Sequence, residues 1–114
     1  MLTAKFHQAT VTDTNLEYEG SITIDKDLLW EADVLPNEKV DVYNITNGKR
    51  FSTYVIEGKR GKGDIIINGA AAHHASKGDK VIIAVYAMVE EDDAPFVRPK
   101  VLVLGKKNKI VSRK

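Results

Sequence analysis

The sequence predicts a mainly β protein, a small barrel or sandwich, on three observations. Short runs of β-branched and aromatic residues recur along the chain, separated by turn residues. Helix-period apolar patterning is confined to one short stretch after Asp25. Asn47-Gly48 stands between two strand-like runs, Val40–Thr46 and Arg50–Ile56. That dipeptide is a strong hairpin signal, because a type I′ turn needs φ > 0 at both central residues.

The elements follow in order. Residues 2–12, around Phe6 and Val11, read as a first strand, and Asp13-Thr14-Asn15 as a turn. Tyr18 to Ile24 reads as a second strand. Asp25 can cap a short helix with Leu28, Leu29 and Ala32 on one face, which Pro36 helps to end. The hairpin comes next, then a Gly- and Lys-rich turn from Gly58 to Gly63. Ile65-Ile66-Ile67 is a short buried strand. Asn68-Gly69-Ala70-Ala71-Ala72-His73 bends into a small-residue helical turn. Val81–Val89 and Val101–Leu104 are further strands. Residues 106–114 form a basic tail expected to be flexible.

The 114 residues suffice for one domain with one core. The net charge of +1 argues against nucleic acid or an anionic membrane as a partner. With no cysteine, disulfides and thiolate metal sites are excluded. The N-terminus lacks the apolar core of a signal peptide, and no apolar run nears the ~20 residues of a membrane span. A cytoplasmic protein is the expectation.

Several motifs have bland readings. Gly58-Lys59-Arg60-Gly61-Lys62-Gly63 lacks the spacing and the Ser/Thr of a phosphate loop, and reads as a solvated turn. His73-His74 are adjacent, so their side chains diverge, and no second ligand pair accompanies them; no metal is expected. The basic tail has no aromatic residue to stack on a base. Arg50 and Tyr54 lie four apart on a predicted strand and so share a face. An arginine beside a phenol suits a carboxylate plus a proton donor, although an ordinary exposed strand face has the same pattern.

One dipeptide could carry unusual chemistry. Gly20 precedes Ser21, and glycine tolerates backbone conformations closed to other residues. A strained Gly20 carbonyl would be open to the Ser21 hydroxyl. Attack, elimination and hydrolysis would cut the chain into residues 1–20 and 21–114, leaving a ketone at the new N-terminus. By itself a Gly-Ser pair is more simply a turn or bulge.

Four blocks raise the reading above that level. Lys5-Phe6-His7, Tyr18-Glu19-Gly20-Ser21, Asn47-Gly48-Lys49-Arg50-Phe51-Ser52-Thr53-Tyr54 and Asn68-Gly69-Ala70-Ala71-Ala72-His73 stand in one order and spacing. With them the sequence resembles the pyruvoyl-dependent aspartate 1-decarboxylases from about Leu2 to Leu104. The resemblance implies a double-psi β-barrel, a homotetramer, and self-cleavage between Gly20 and Ser21 into a β chain and an α chain. It implies a covalent pyruvoyl group derived from Ser21, no metal, and L-aspartate as substrate. The substrate amine would form a Schiff base, and decarboxylation would yield β-alanine for pantothenate. It further implies that Thr53 assists the acyl shift and that Tyr54 donates the proton replacing CO2. Arg50 would hold a substrate carboxylate. Lys5, Tyr18, Thr53, Asn68, Gly69, Ala70 and Ala71 would line the pocket. In some members a separate accessory protein speeds maturation. Strict alternation sets Thr53 opposite Arg50 and Tyr54, so a bulge, a twist or a site between subunits is expected. An uncleaved binding module, or a nucleic-acid binder using residues 106–114, would leave the four linked blocks unexplained.

Overall fold

The computed structural model describes residues 1–114. Nine strands form one continuous mixed sheet, curled into a small barrel around a single core. They are β1 (Leu2–Thr10), β2 (Asp13–Asn15), β3 (Ser21–Asp25), β4 (Lys39–Asn44), β5 (Arg50–Gly58), β6 (Ile65–Asn68), β7 (Lys80–Tyr86), β8 (Lys100–Leu104) and β9 (Ile110–Arg113). The spatial order is β2-β6-β3-β5-β4-β7-β1-β8-β9. Three neighbouring pairs are parallel: β1 with β8, β2 with β6, and β3 with β5. The core is built from isoleucine and valine on alternate strand positions, with Phe6, Ile22, Ile24, Ile65, Ile67 and Ile83 fully buried. Each such side chain contributes about 1.5–3 kcal/mol relative to exposure.

The one α-helix, α1 (Lys26–Ala32), starts where expected. Asp25 accepts from the Asp27 backbone N–H at 2.8 Å, and Leu28, Leu29 and Ala32 are buried. It ends sooner than Pro36 would require, because Asp33 adopts a left-handed cap (φ 55°) and bonds back to Leu29 and Trp30. The Asp25 carboxylate also accepts from the Gly61 N–H at 3.1 Å and the Gly63 N–H at 2.6 Å. The glycine-rich turn therefore spends these backbone donors on an internal carboxylate, which accounts for its composition without a bound phosphate.

Five expectations are corrected. The second strand begins at Ser21, not Tyr18; residues 16–20 are a turn that leads into it. Asp13–Asn15 is not a plain turn but a short strand, in parallel register with Ile66–Asn68. The β4–β5 connection is not type I′, because only Gly48 (φ 77°) has positive φ; Gly48 N–H donates to Asn44 O and Asn44 N–H to Lys49 O, which closes a longer loop. Strand β7 stops at Tyr86, short of Val89. Finally, residues 106–114 are not a loose end. Lys106–Asn108 is a 3-10 turn, and β9 pairs antiparallel with β8. The reason is Asn108, which is buried. Its Oδ1 accepts from Thr10 N–H at 2.8 Å, and its Nδ2 donates to Thr10 O at 2.9 Å and Gly63 O at 2.8 Å.

Candidate active site

The junction of β3 and β6 holds the Gly20-Ser21 bond. Ser21 and Asn68 are antiparallel partners, 0% and 3% exposed. The Ser21 hydroxyl donates to Glu19 O at 3.0 Å and accepts from Asn68 Nδ2 at 3.1 Å. The same amide donates to Thr23 Oγ1 at 3.0 Å. A buried hydroxyl would be costly without partners, and these two fix its rotamer.

The strained glycine is not Gly20. Its φ lies outside the left-handed region, and a Cβ built on it would meet nothing within 4 Å. The constraint falls on Gly69, whose φ is 67° and whose Cβ would stand 2.6 Å from Gly20 Cα and N and 2.9 Å from Tyr18 O. A residue with any side chain at position 69 would push the 18–20 turn away.

Strand register decides which other residues join this face. Thr23 pairs with Ile56 and Ile22 with Val55, in parallel. Continued back, that register sets Ser21 beside Tyr54 and Gly20 beside Thr53. Thr53 pairs with buried Val40 across β4, on the opposite face from Tyr54. The β4–β5 register runs without a shift from Lys39↔Tyr54 to Tyr43↔Arg50. On the register continued back from Ile22↔Val55, Thr53 and Tyr54 approach the 20–21 bond without a bulge.

Arg50 is another matter. It shares the face of Tyr54, but the four-residue separation along β5 is ~13 Å. It lines a depression of about 300 Å³ with Asp41, Tyr43, Phe51 and Ser52. Beside Ser21, a separate cleft of about 390 Å³ is lined in part by Tyr18, Thr23, Ile66 and Asn68. The cross-strand row Lys5↔Ala84↔Asp41↔Ser52 reaches β5 at Ser52, midway between Arg50 and Tyr54, and leaves Lys5 three strands away on β1. Gly69, Ala70 and Ala71 form the 3-10 turn after Asn68. On one chain, then, Ser21 and Asn68 stand apart from Arg50, and Lys5 from both.

The arginine half has members that sequence patterns did not single out. The Arg50 guanidinium sits 4.3 Å from the centroid of the Tyr43 ring. The Tyr43 and Tyr86 hydroxyls are 3.0 Å apart. That hydrogen bond, then burial and the nearby Asp41 charge, push the Tyr43 phenol up to about 12, against a smaller opposing pull from Arg50. Ser52 donates to Asp41 Oδ1 at 2.5 Å. Strand alternation on β4 and β5 was the available signal, since Asp41, Tyr43, Arg50, Ser52 and Tyr54 fall on one face once the hairpin register is known. His74 behaves structurally, stacking on Phe51 at 5.7 Å, and its carbonyl accepts from Asn44 and Asn47. No group of three or more His, Cys, Asp or Glu is placed to hold a metal ion, and no helix is long and apolar enough to cross a membrane.

The chain thus carries a fixed buried serine hydroxyl and, separately, a guanidinium without a carboxylate partner, a group suited to a small anion. Comparison with known proteins gives the class, a carboxy-lyase. The chain belongs to the aspartate decarboxylase family, whose profile matches residues 1–111. It is 54% identical over 112 residues to an aspartate 1-decarboxylase of Thermoanaerobacter pseudethanolicus, covering 98% of this chain and 96% of that protein. It is also 54% identical over 110 residues to the aspartate 1-decarboxylases of Ralstonia pickettii and Bacillus subtilis. Those matches span 96% of this chain and 92% and 87% of the relatives.

Proposed function

We propose that this chain is a self-processing, pyruvoyl-dependent decarboxylase that converts L-aspartate to β-alanine and CO2, with β-alanine serving pantothenate synthesis in the cytoplasm. The observation that carries the proposal is the buried Ser21 hydroxyl, clamped between Glu19 O and the Asn68 amide beside a turn that only Gly69 admits.

Maturation follows from these groups. Ser21 Oγ adds to the Gly20 carbonyl carbon, and the Gly20–Ser21 C–N bond gives way to an ester and a free amine. Loss of the Ser21 Cα proton expels the Gly20 carboxylate and leaves dehydroalanine. Water then replaces the nitrogen, which departs as ammonia. Residues 1–20 end in a carboxylate, and residues 21–114 begin with a pyruvoyl group. Thr53, in register with Gly20, assists the acyl shift by hydrogen bonding to the developing oxyanion. The residues at the bond fit such a group: Asn68 and Thr23 supply polar partners, and Gly69 lets the 18–20 turn close against them.

A pyruvoyl group at position 21 would supply a ketone able to accept the substrate amine and the electrons freed with CO2. The chain's own side chains do the rest. Arg50 grips a substrate carboxylate bidentately, and Lys5 adds charge to the same pocket. Tyr54, beside position 21, delivers the proton that replaces CO2. Tyr18, Asn68, Gly69, Ala70 and Ala71 shape the walls. The ~13 Å between Arg50 and the position beside Ser21 supports a site completed by a second copy, in keeping with a homotetramer. An accessory protein that speeds cleavage fits the same scheme.

Intact-mass analysis of the purified protein tests the proposal. Two fragments are expected, with the 21–114 fragment one ammonia lighter than a serine-started chain and blocked to N-terminal sequencing. Ser21→Ala should leave one uncut, inactive chain. An active preparation that is uncut and keeps an ordinary serine at position 21 would overturn it.

A further inference from the structure

Arg50 has an acidic neighbour that it does not use. Tyr43↔Arg50 and Asp41↔Ser52 are successive cross-strand pairs of the β4–β5 hairpin, on one face. Asp41 is thus diagonal to Arg50, at a Cα separation of about 7–8 Å that an arginine spans easily. None of the chain's ion pairs contains Arg50. The Asp41 carboxylate instead takes the Ser52 hydroxyl at 2.5 Å, and Arg50 lies over the Tyr43 ring at 4.3 Å. A ring face holds a guanidinium without occupying its in-plane N–H donors. The Tyr43 ring is in turn tied by its hydroxyl to Tyr86.

We propose that Ser52 is a positioning residue for substrate-carboxylate capture: by holding Asp41, it keeps the internal carboxylate from competing for the Arg50 donors, while Tyr43 braces the guanidinium. This rests on the reading of Arg50 as the carboxylate clamp. A substrate carboxylate and Asp41 compete for the same planar fork. An Asp41 released from Ser52 is an intramolecular competitor of high effective concentration. The hairpin therefore carries its own inhibitor, and one hydroxyl keeps it disengaged.

Succinate is a suitable probe, because it has the carboxylates and no amine. Its affinity for the assembled protein is measured by calorimetry, beside KM and kcat for aspartate per cleaved chain. Ser52→Ala is expected to weaken succinate binding about 3–10-fold and to raise KM with little change in kcat. Adding Asp41→Asn to Ser52→Ala should restore affinity to within about twofold of wild type, since the amide is no competitor. Tyr43→Leu should weaken binding about 3–5-fold, whereas Tyr43→Phe, which keeps the ring face, should cost less than twofold. Ser52 is exposed, so its truncation leaves the core intact. Wild-type affinity in Ser52→Ala, or no recovery in the double variant, would overturn the proposal. Arg50→Ala separates the two levels. If it binds succinate normally, the clamp reading itself is wrong; if it loses binding while Ser52→Ala does not, only the role of Ser52 falls.

Discussion

Replacing Gly69 by alanine is the sharpest single test of how the Gly20-Ser21 bond is held. Two costs add. A non-glycine residue at φ 67° costs about 1–2 kcal/mol. The new Cβ would stand 2.6 Å from Gly20 Cα and N, where ordinary contact begins near 3.4 Å. Relieving that overlap moves the 18–20 backbone by ~1 Å, at a further ~1–3 kcal/mol. The sum, ~2–5 kcal/mol, falls within the total stability of a domain of this size, so the protein should fold with a clearly lower urea midpoint. The displacement matters more for chemistry. A misplacement of ~1 Å costs on the order of 100-fold in rate, so self-cleavage followed by intact mass should slow by about that factor. Gly20→Ala is the control: its Cβ meets no atom within 4 Å and its φ is not left-handed, so its stability should match or slightly exceed wild type. A Gly69→Ala protein with the wild-type midpoint and the wild-type rate of cleavage would refute the reasoning.

Further outcomes follow from particular contacts. Asn108→Ala removes three hydrogen bonds that tie the 3-10 turn to Thr10 and Gly63; it should lower stability by ~2–4 kcal/mol and expose β9 to limited proteolysis. Tyr43 should ionise near 12, and the tyrosinate absorbance step there should vanish in Tyr43→Phe. An unfolded tyrosine ionises near ~10. The raised folded value thus adds stability that is complete below pH ~10 and is lost as pH rises toward 12, so the Tm advantage of wild type over Tyr43→Phe should shrink across that window. Arg50→Ala should still cleave but lose aspartate turnover by at least ~100-fold, and Tyr54→Phe should cleave yet release product slowly. Normal turnover in either would remove the role assigned to it.

Much of this protein is written locally. The alternating isoleucines and valines, the Asp25 cap with its Leu28-Leu29-Ala32 face, and the glycine after Asn47 fix strands, helix and hairpin through contacts a few residues apart. The four linked blocks identify the family for the same reason, since side-chain identity survives in one dimension. What depended on distant residues was not legible. The tail reads as solvated lysines until Asn108 meets Thr10, 98 positions away. The strained glycine is Gly69 rather than Gly20, because the strain comes from the approach of two loops 49 residues apart and not from either dipeptide. The parallel pairing of β3 with β5 sets Ile22 beside Val55, so that the Gly20-Ser21 bond and the Thr53-Tyr54 pair enter the same junction, which alternation along one strand could not express. Sequence determined which elements form and what chemistry their residues own. Tertiary structure decided which of those residues meet, because register and loop approach are properties of pairs of segments.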